Sequence, residues 1–257
     1  MLLAIDIGNT NIAMGVFDGD RLKATWRLGT EVHKLSDEYA AQLLNLLALR
    51  GLDFSVVDEA IIASSVPPLV TTFEELCRQY FQIEPLVVGP GVKTGVRISL
   101  DYPGEVGPDR VVNVAAAHRL YEGPLVVIDL GTATTFDAVS EEGVYLGGAI
   151  APGIGISAEA LFEKAARLPR VELLRPKKAI GKSSVPAMQS GIIFGYVGLI
   201  EGIVVRMRRE LGDETKVIAT GGLVGIIAEE TSVIDAVEPH LTLLGLKFIH
   251  EMNSGHQ

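Results

Sequence analysis

The chain has 257 residues, 48% hydrophobic and 21% charged, with a formal net charge of −10. That length buries a substantial core without disulfide or metal staples. The acidic balance argues against a general nucleic-acid binder, which presents a basic stripe, but leaves phosphate ligands open, because backbone N–H groups and a bound cation hold phosphate without many basic side chains.

In chain order, Met1 to Ile5 is too short for a signal-peptide core and no basic residue precedes it, so no secretory signal is expected. Residues 2–19, LLAIDIGNTNIAMGVFDG, read as strand, turn and strand. Asp37 to Arg50 has helical spacing through Leu43, Leu44, Leu46, Leu47 and Leu49. Asp58 to Val66 reads as a buried strand, Pro68 to Phe81 as a helix with Pro near its start, and Pro85 to Val88 as a short strand. Within the second helix lies Cys77, the chain's one cysteine; it excludes an internal disulfide and a cysteine-based metal cluster and fits a reducing, cytoplasmic setting.

Pro108 to Tyr121 reads as a helix, and residues 125–143, LVVIDLGTATTFDAVSEEG, return to strand, turn and strand. Gly153 to Arg167 and Val185 to Leu211 are predicted helices, Lys216 to Thr220 is a strand stopped by Gly221-Gly222, and Leu241 to Met252 is a closing helix. Ser183 to Ile200 carries no charge, but Ser183, Ser184, Pro186, Gln189, Ser190 and the following Glu201 favour a buried helix over a membrane span.

The two strand–turn–strand stretches echo each other. Asp6 matches Asp129 and Gly8 matches Gly131 at the same offset, about half a chain apart. Duplication explains this simply; the alternative is two buried strands that happen to end in similar Asp/Gly turns. Strand hairpins followed by helix–strand units indicate an α/β fold. The expected halves are 1–117 and 118–257, packed around a cleft.

Each turn suits phosphate chemistry. In Asp6-Ile7-Gly8-Asn9-Thr10-Asn11, glycine lets the backbone approach a ligand, while successive N–H groups and the Thr and Asn side chains can surround phosphate oxygens. Asp6, at a strand end, could hold Mg²⁺ directly or through water. Asp129-Leu130-Gly131-Thr132-Ala133-Thr134-Thr135 offers the same groups. Two such turns would clamp one polyphosphate, and phosphoryl transfer needs mostly positioning and charge neutralisation. A third element, Ala219-Thr220-Gly221-Gly222, would let a flat ring lie on the backbone; alone it reads as an ordinary glycine-rich loop.

DIGNT, DLGTATT and TGG resemble the two phosphate motifs and the adenosine motif of the acetate kinase/sugar kinase/actin-like superfamily. Glu105-Val106-Gly107-Pro108-Asp109-Arg110 resembles the GxDR substrate motif of type III pantothenate kinases. Gly147 to Gly153 is similar to that family's GG-x-I-x-PG stretch, and Gly181-Lys182-Ser183-Ser184…Gln189-Ser190-Gly191 to its GK-x-T/S…QSG stretch. The resemblance implies duplicated ribonuclease H-like (actin-like ATPase) domains flanking a nucleotide cleft, the first phosphate motif in the N-terminal half, and the second phosphate and adenosine motifs in the C-terminal half. It implies transfer of the ATP γ-phosphate to the primary hydroxyl of pantothenate, the first step of coenzyme A biosynthesis. ATP would meet Asp6, Ile7, Gly8, Asn9, Thr10, Asn11, Ile12, Ala13, Thr132, Gly221 and Gly222.

Asp109 would be the general base. From spacing alone it could equally cap the helix that follows. Gly107, Pro108, Arg110 and Ser184 would meet pantothenate. The family's usual Tyr is Leu100 here, with Tyr102 two residues on as a substitute. A monovalent cation, K⁺ or NH₄⁺, would sit at Asp129 and Mg²⁺ at Asp6, with a homodimer on the 185–211 helix.

Two lookalikes are set aside. Gly181-Lys182-Ser183 imitates the end of a P-loop, but Pro176 stands where its first Gly belongs. Gly153-Ile154-Gly155-Ile156-Ser157-Ala158 fits GxGxxA but follows a hairpin rather than opening a βαβ unit. Among His33, His118, His240, His250 and His256, no pair has the HxxxH spacing, and no zinc is expected.

Overall fold

The computed structural model describes residues 1–255; His256 lies outside them. The elements in order are β1 (Leu2–Ile7), β2 (Asn11–Asp18), β3 (Arg21–Gly29), α1 (Ser36–Ala48), β4 (Glu59–Ser64), α2 (Pro67–Leu76), β5 (Leu86–Val87), β6 (Arg97–Ile98) and α3 (Pro108–Leu120). They continue as β7 (Leu125–Leu130), β8 (Ala133–Val139), β9 (Val144–Pro152), α4 (Ile154–Lys164), α5 (Ser184–Leu211), β10 (Lys216–Thr220), α6 (Val224–Ala228), β11 (Ala236–Val237) and α7 (Leu241–Asn253).

The chain forms two compact units. The first sheet runs β3-β2-β1-β4-β5 and the second β11-β10-β7-β8-β9-β6. In the first, β1 is antiparallel to β2 and parallel to β4. In the second, β7 is antiparallel to β8 and parallel to β10. Reading β9-β8-β7-β10-β11 against β3-β2-β1-β4-β5 gives the same order and the same strand directions. The echo between residues 2–19 and 125–143 therefore extends to whole sheets: β1 answers to β7 and β4 to β10.

Strand β1 is apolar apart from Asp6 because both its faces are covered, as for the central strands of parallel sheets generally. Leu3, Ile5 and Ile7 pack with Tyr39, Leu43 and Leu47 of α1 and Leu69 and Phe73 of α2. The alternate residues Leu2 and Ala4 pack with Val112 of α3 and Leu243, Leu246 and Ile249 of α7. In the second unit, Val126, Ile128, Leu130, Val217 and Ala219 pack against Ile193, Tyr196, Val197, Ile200 and Val204 of α5. Helix α5 is long and apolar enough to cross a membrane by length and composition, yet this face of it is core.

The switch from the first unit to the second comes at Ala116/Ala117, within α3. A simple division into 1–117 and 118–257 misplaces two segments. Residues 241–255 belong to the first unit, because the apolar stripe of α7 covers the open face of β1 and β4. Residues 97–101 belong to the second unit, where β6 adds a parallel edge to β9. The predicted 68–81 helix does run to Phe81, its last turn, Cys77–Phe81, being π-helical and stopped by Gln82 in the left-handed region at φ 59°. The predicted 153–167 helix ends at Lys164.

Candidate active site

In the first unit, Asp6 is the fifth residue of β1, opposite Ala13 on β2 and Ala63 on β4. The turn that follows is held from three directions. The Gly8 N–H donates to the Asn11 carbonyl at 3.0 Å. The Thr30 hydroxyl donates to the Gly8 carbonyl at 2.6 Å, and the Thr30 N–H to the Thr10 carbonyl at 3.0 Å. The Ser65 N–H, just past β4, donates to the Ile7 carbonyl at 2.9 Å. Asn9, Thr10 and Asn11 are exposed, Asp6, Gly8 and Ala13 half-buried, and Ile7 and Ile12 wholly buried. The two isoleucines therefore have only backbone to offer a ligand.

The same unit carries residues 107–110, all half-buried. Pro108 opens α3 and Asp109 is its second residue. The Asp109 carboxylate accepts from the Arg110 N–H at 2.9 Å, from a position inside the helix rather than at its N-cap. It also folds back over Gly107, where a Cβ would lie 2.3 Å from Oδ1. Glycine at 107 is thus what lets the carboxylate take this position. Tyr102 is 71% exposed.

In the second unit, Asp129 is the fifth residue of β7, opposite Thr135 on β8 and Thr220 on β10. The Gly131 N–H donates to the Ala133 carbonyl at 3.1 Å, as its counterpart Gly8 does to Asn11. Two further loops close on this turn. The Gly153 N–H donates to the Thr132 carbonyl at 3.1 Å. Gly221 has φ +103°, and a Cβ there would lie 2.6 Å from backbone atoms of Leu130. Only glycine fits both the conformation and the approach. Gly221 stands to Leu130 as Ser65 stands to Ile7, which extends the duplication into the loops. Stretches 129–132, 152–153 and 220–222 therefore meet at one end of the second sheet. Thr132 and Gly222 are exposed there, and Asp129 and Gly221 half-buried.

One brace was not legible in the sequence. The Tyr196 hydroxyl of α5 donates to the Pro152 carbonyl at 2.9 Å and hydrogen-bonds the buried Thr134 hydroxyl. Burial raises the Tyr196 phenol above its ordinary value, so it stays protonated. A single tyrosine 62 residues from its partner leaves no local signal.

Leu100, where a Tyr was expected, is half-buried and packs on β9; a Cβ at Gly147 would lie 3.1 Å from its Cδ2. Ser184 is the first residue of α5 rather than part of the preceding loop, and is exposed. It lines a groove of about 920 Å³ with Ser157, Lys182, Met188, Ile192 and Tyr196. The GxGxxA stretch follows β9, which is antiparallel to β8, so it opens no βαβ unit. His118 packs under the β8–β9 turn at Gly143.

Asp6 and Asp129 suit hard cations chemically, being carboxylates beside exposed turns. Among the described residues no group of three or more His, Cys, Asp or Glu is gathered to hold a metal ion. One or two carboxylates completed by phosphate oxygens and water are what a magnesium–nucleotide site requires.

A family profile described as type III pantothenate kinase matches residues 2–206. The type III pantothenate kinase of Dehalococcoides mccartyi (strain ATCC BAA-2266 / KCTC 15142 / 195) is 52% identical over 252 residues, covering 98% of each chain. A Baf family structure from Campylobacter jejuni superposes with a TM-score of 0.62 at 21% identity, covering 98% of each chain. The ROK hexokinase of Thermus thermophilus does so with a TM-score of 0.50 at 14% identity, covering 99% of each. These two structures bear on the fold alone, which is that of duplicated ribonuclease H-like units.

Proposed function

The chain belongs to the type III pantothenate kinase family, and from that premise we propose how its residues divide the work of moving the ATP γ-phosphate to pantothenate. The enzyme is a phosphotransferase that makes 4′-phosphopantothenate for coenzyme A biosynthesis. The observation that carries the reading of its residues is the pair of Asp-x-Gly turns, at the same register positions in two sheets of the same topology.

The turn from Asp6 to Ala13 presents backbone N–H groups and the Asn9, Thr10 and Asn11 side chains to the nucleotide phosphates. Thr132 does the same from its own turn. Gly221 and Gly222 offer a flat surface to the adenosine. Asp109 takes the proton of the acceptor's primary hydroxyl as that oxygen attacks the γ-phosphorus, and ADP leaves. Arg110 contributes a charge-assisted contact to the acceptor, supported by Gly107, Pro108 and Ser184. Leu100 supplies apolar contact, and Tyr102 is the aromatic replacement for the family's Tyr. Mg²⁺ at Asp6 and a monovalent cation, K⁺ or NH₄⁺, at Asp129 supply neutralisation of phosphate charge when bound.

We further infer a cytoplasmic homodimer formed through α5, binding neither nucleic acid nor membrane. What supports this is the outer face of α5. Gly191, Gly195 and Gly198 are exposed, and a Cβ at each would meet open space. Bare glycine in a helix interior costs about 0.5–1 kcal/mol each relative to alanine. A closely packed partner helix would account for them.

The test is ADP release measured with and without pantothenate. A panel of sugars and other small alcohols separates this acceptor from alternatives. Absence of ADP under saturating ATP and K⁺ would favour a non-catalytic regulator on the same scaffold.

A further inference from the structure

The charge of this chain is unevenly spread. Residues 164–182 hold seven of its 22 Lys and Arg against one carboxylate, Glu172, in a protein of net charge −10. Two of the seven are neutralised: Arg170 pairs with Glu159 and Arg175 with Glu230. The other five, Lys164, Arg167, Lys177, Lys178 and Lys182, are exposed and make no ion pair with a described residue. The segment leads straight into Ser184, and Lys182 and Ser184 line one groove.

We propose that this basic segment is an electrostatic collector that draws the acceptor's carboxylate toward the groove at Ser184. The proposal rests on the reading of Ser184 as an acceptor contact. A net charge of −10 repels a carboxylate substrate on approach; Lys182 at the groove and the four other unpaired cations of the segment leading to it, against the single Glu172, oppose that repulsion locally. Such a field raises local substrate concentration or association rate by about 10- to 10³-fold in strong cases, and salt removes it. Lys177 and Lys178 act at a distance and touch no reacting atom.

The experiment measures kcat/KM for pantothenate at saturating Mg-ATP, with K⁺ held constant, at low and high added NaCl. It compares the wild type with Lys177→Gln/Lys178→Gln and Lys177→Glu/Lys178→Glu. At low salt, neutralisation should lower kcat/KM by about threefold and reversal by about tenfold, kcat should hold, and the curves should converge near 1 M salt. An amide analogue of pantothenate lacking the carboxylate should show no such grading. Equal losses for the neutral analogue, no salt dependence, or an effect on ATP rather than pantothenate would overturn the proposal. If the wild type makes no pantothenate-dependent ADP, the reading of function fails instead.

Discussion

The Asp109 carboxylate lies over Gly107 and accepts from the helix N–H beside it. With Asp109 as the proposed general base, Asp109→Asn should lower kcat by about 10²- to 10⁴-fold while ATP binding by titration calorimetry stays within a few-fold; full turnover would remove Asp109 from that role. Gly107→Ala puts a methyl 2.3 Å from the present position of Oδ1. Because a side chain can rotate away, the fold should tolerate it, so activity should fall well before melting temperature does. Cys77 is buried, and desolvation pushes its thiol up from 9.0 to about 12. A disulfide reagent at pH 8 should label it only on unfolding. Between pH 9 and 12 the unfolded chain loses this proton while the folded chain keeps it, so stability should fall as pH rises through that window. Of these features, Asp109 was visible through the run 105–110, whereas its fold-back over Gly107 depends on a rotamer that sequence does not encode locally.

At the scale of elements, the strand–turn units were legible because they are local. Burial on both faces made β1 and β7 continuous apolar runs up to Asp6 and Asp129, and Asp-x-Gly marked their ends. Strand β3 was missed because its burial alternates weakly, with only Ala24 fully enclosed. The meeting of loops 131, 153 and 221 was hidden for the opposite reason: it joins segments far apart in sequence. Gly221→Ala should cost about 1–3 kcal/mol in denaturant unfolding, since it adds a Cβ 2.6 Å from the Leu130 backbone at φ +103°. It should also weaken ATP binding if, as proposed, the displaced backbone belongs to a phosphate-binding turn. An unchanged stability would mean the loop has room to rearrange.

At the scale of the molecule, duplication was readable but its exact partition was not. The echo at 6–8 and 129–131 announced two sheets; nothing local said that α7 would return to the first unit, because an amphipathic helix fits any open apolar face. The exposed glycines of α5 bear on assembly. Gly198→Arg should leave the protomer folded, since its Cβ would meet open space, and should halve the mass seen by light scattering if α5 is the dimer face.

Paired turns in matching registers are proposed to serve one reaction. The direct measurement is a coupled ADP assay with Mg-ATP, with and without pantothenate, in K⁺ and in Na⁺ buffer. The account predicts ADP release that requires pantothenate and is markedly faster in K⁺. ADP release indifferent to pantothenate, or none at saturating ATP and K⁺, would contradict it.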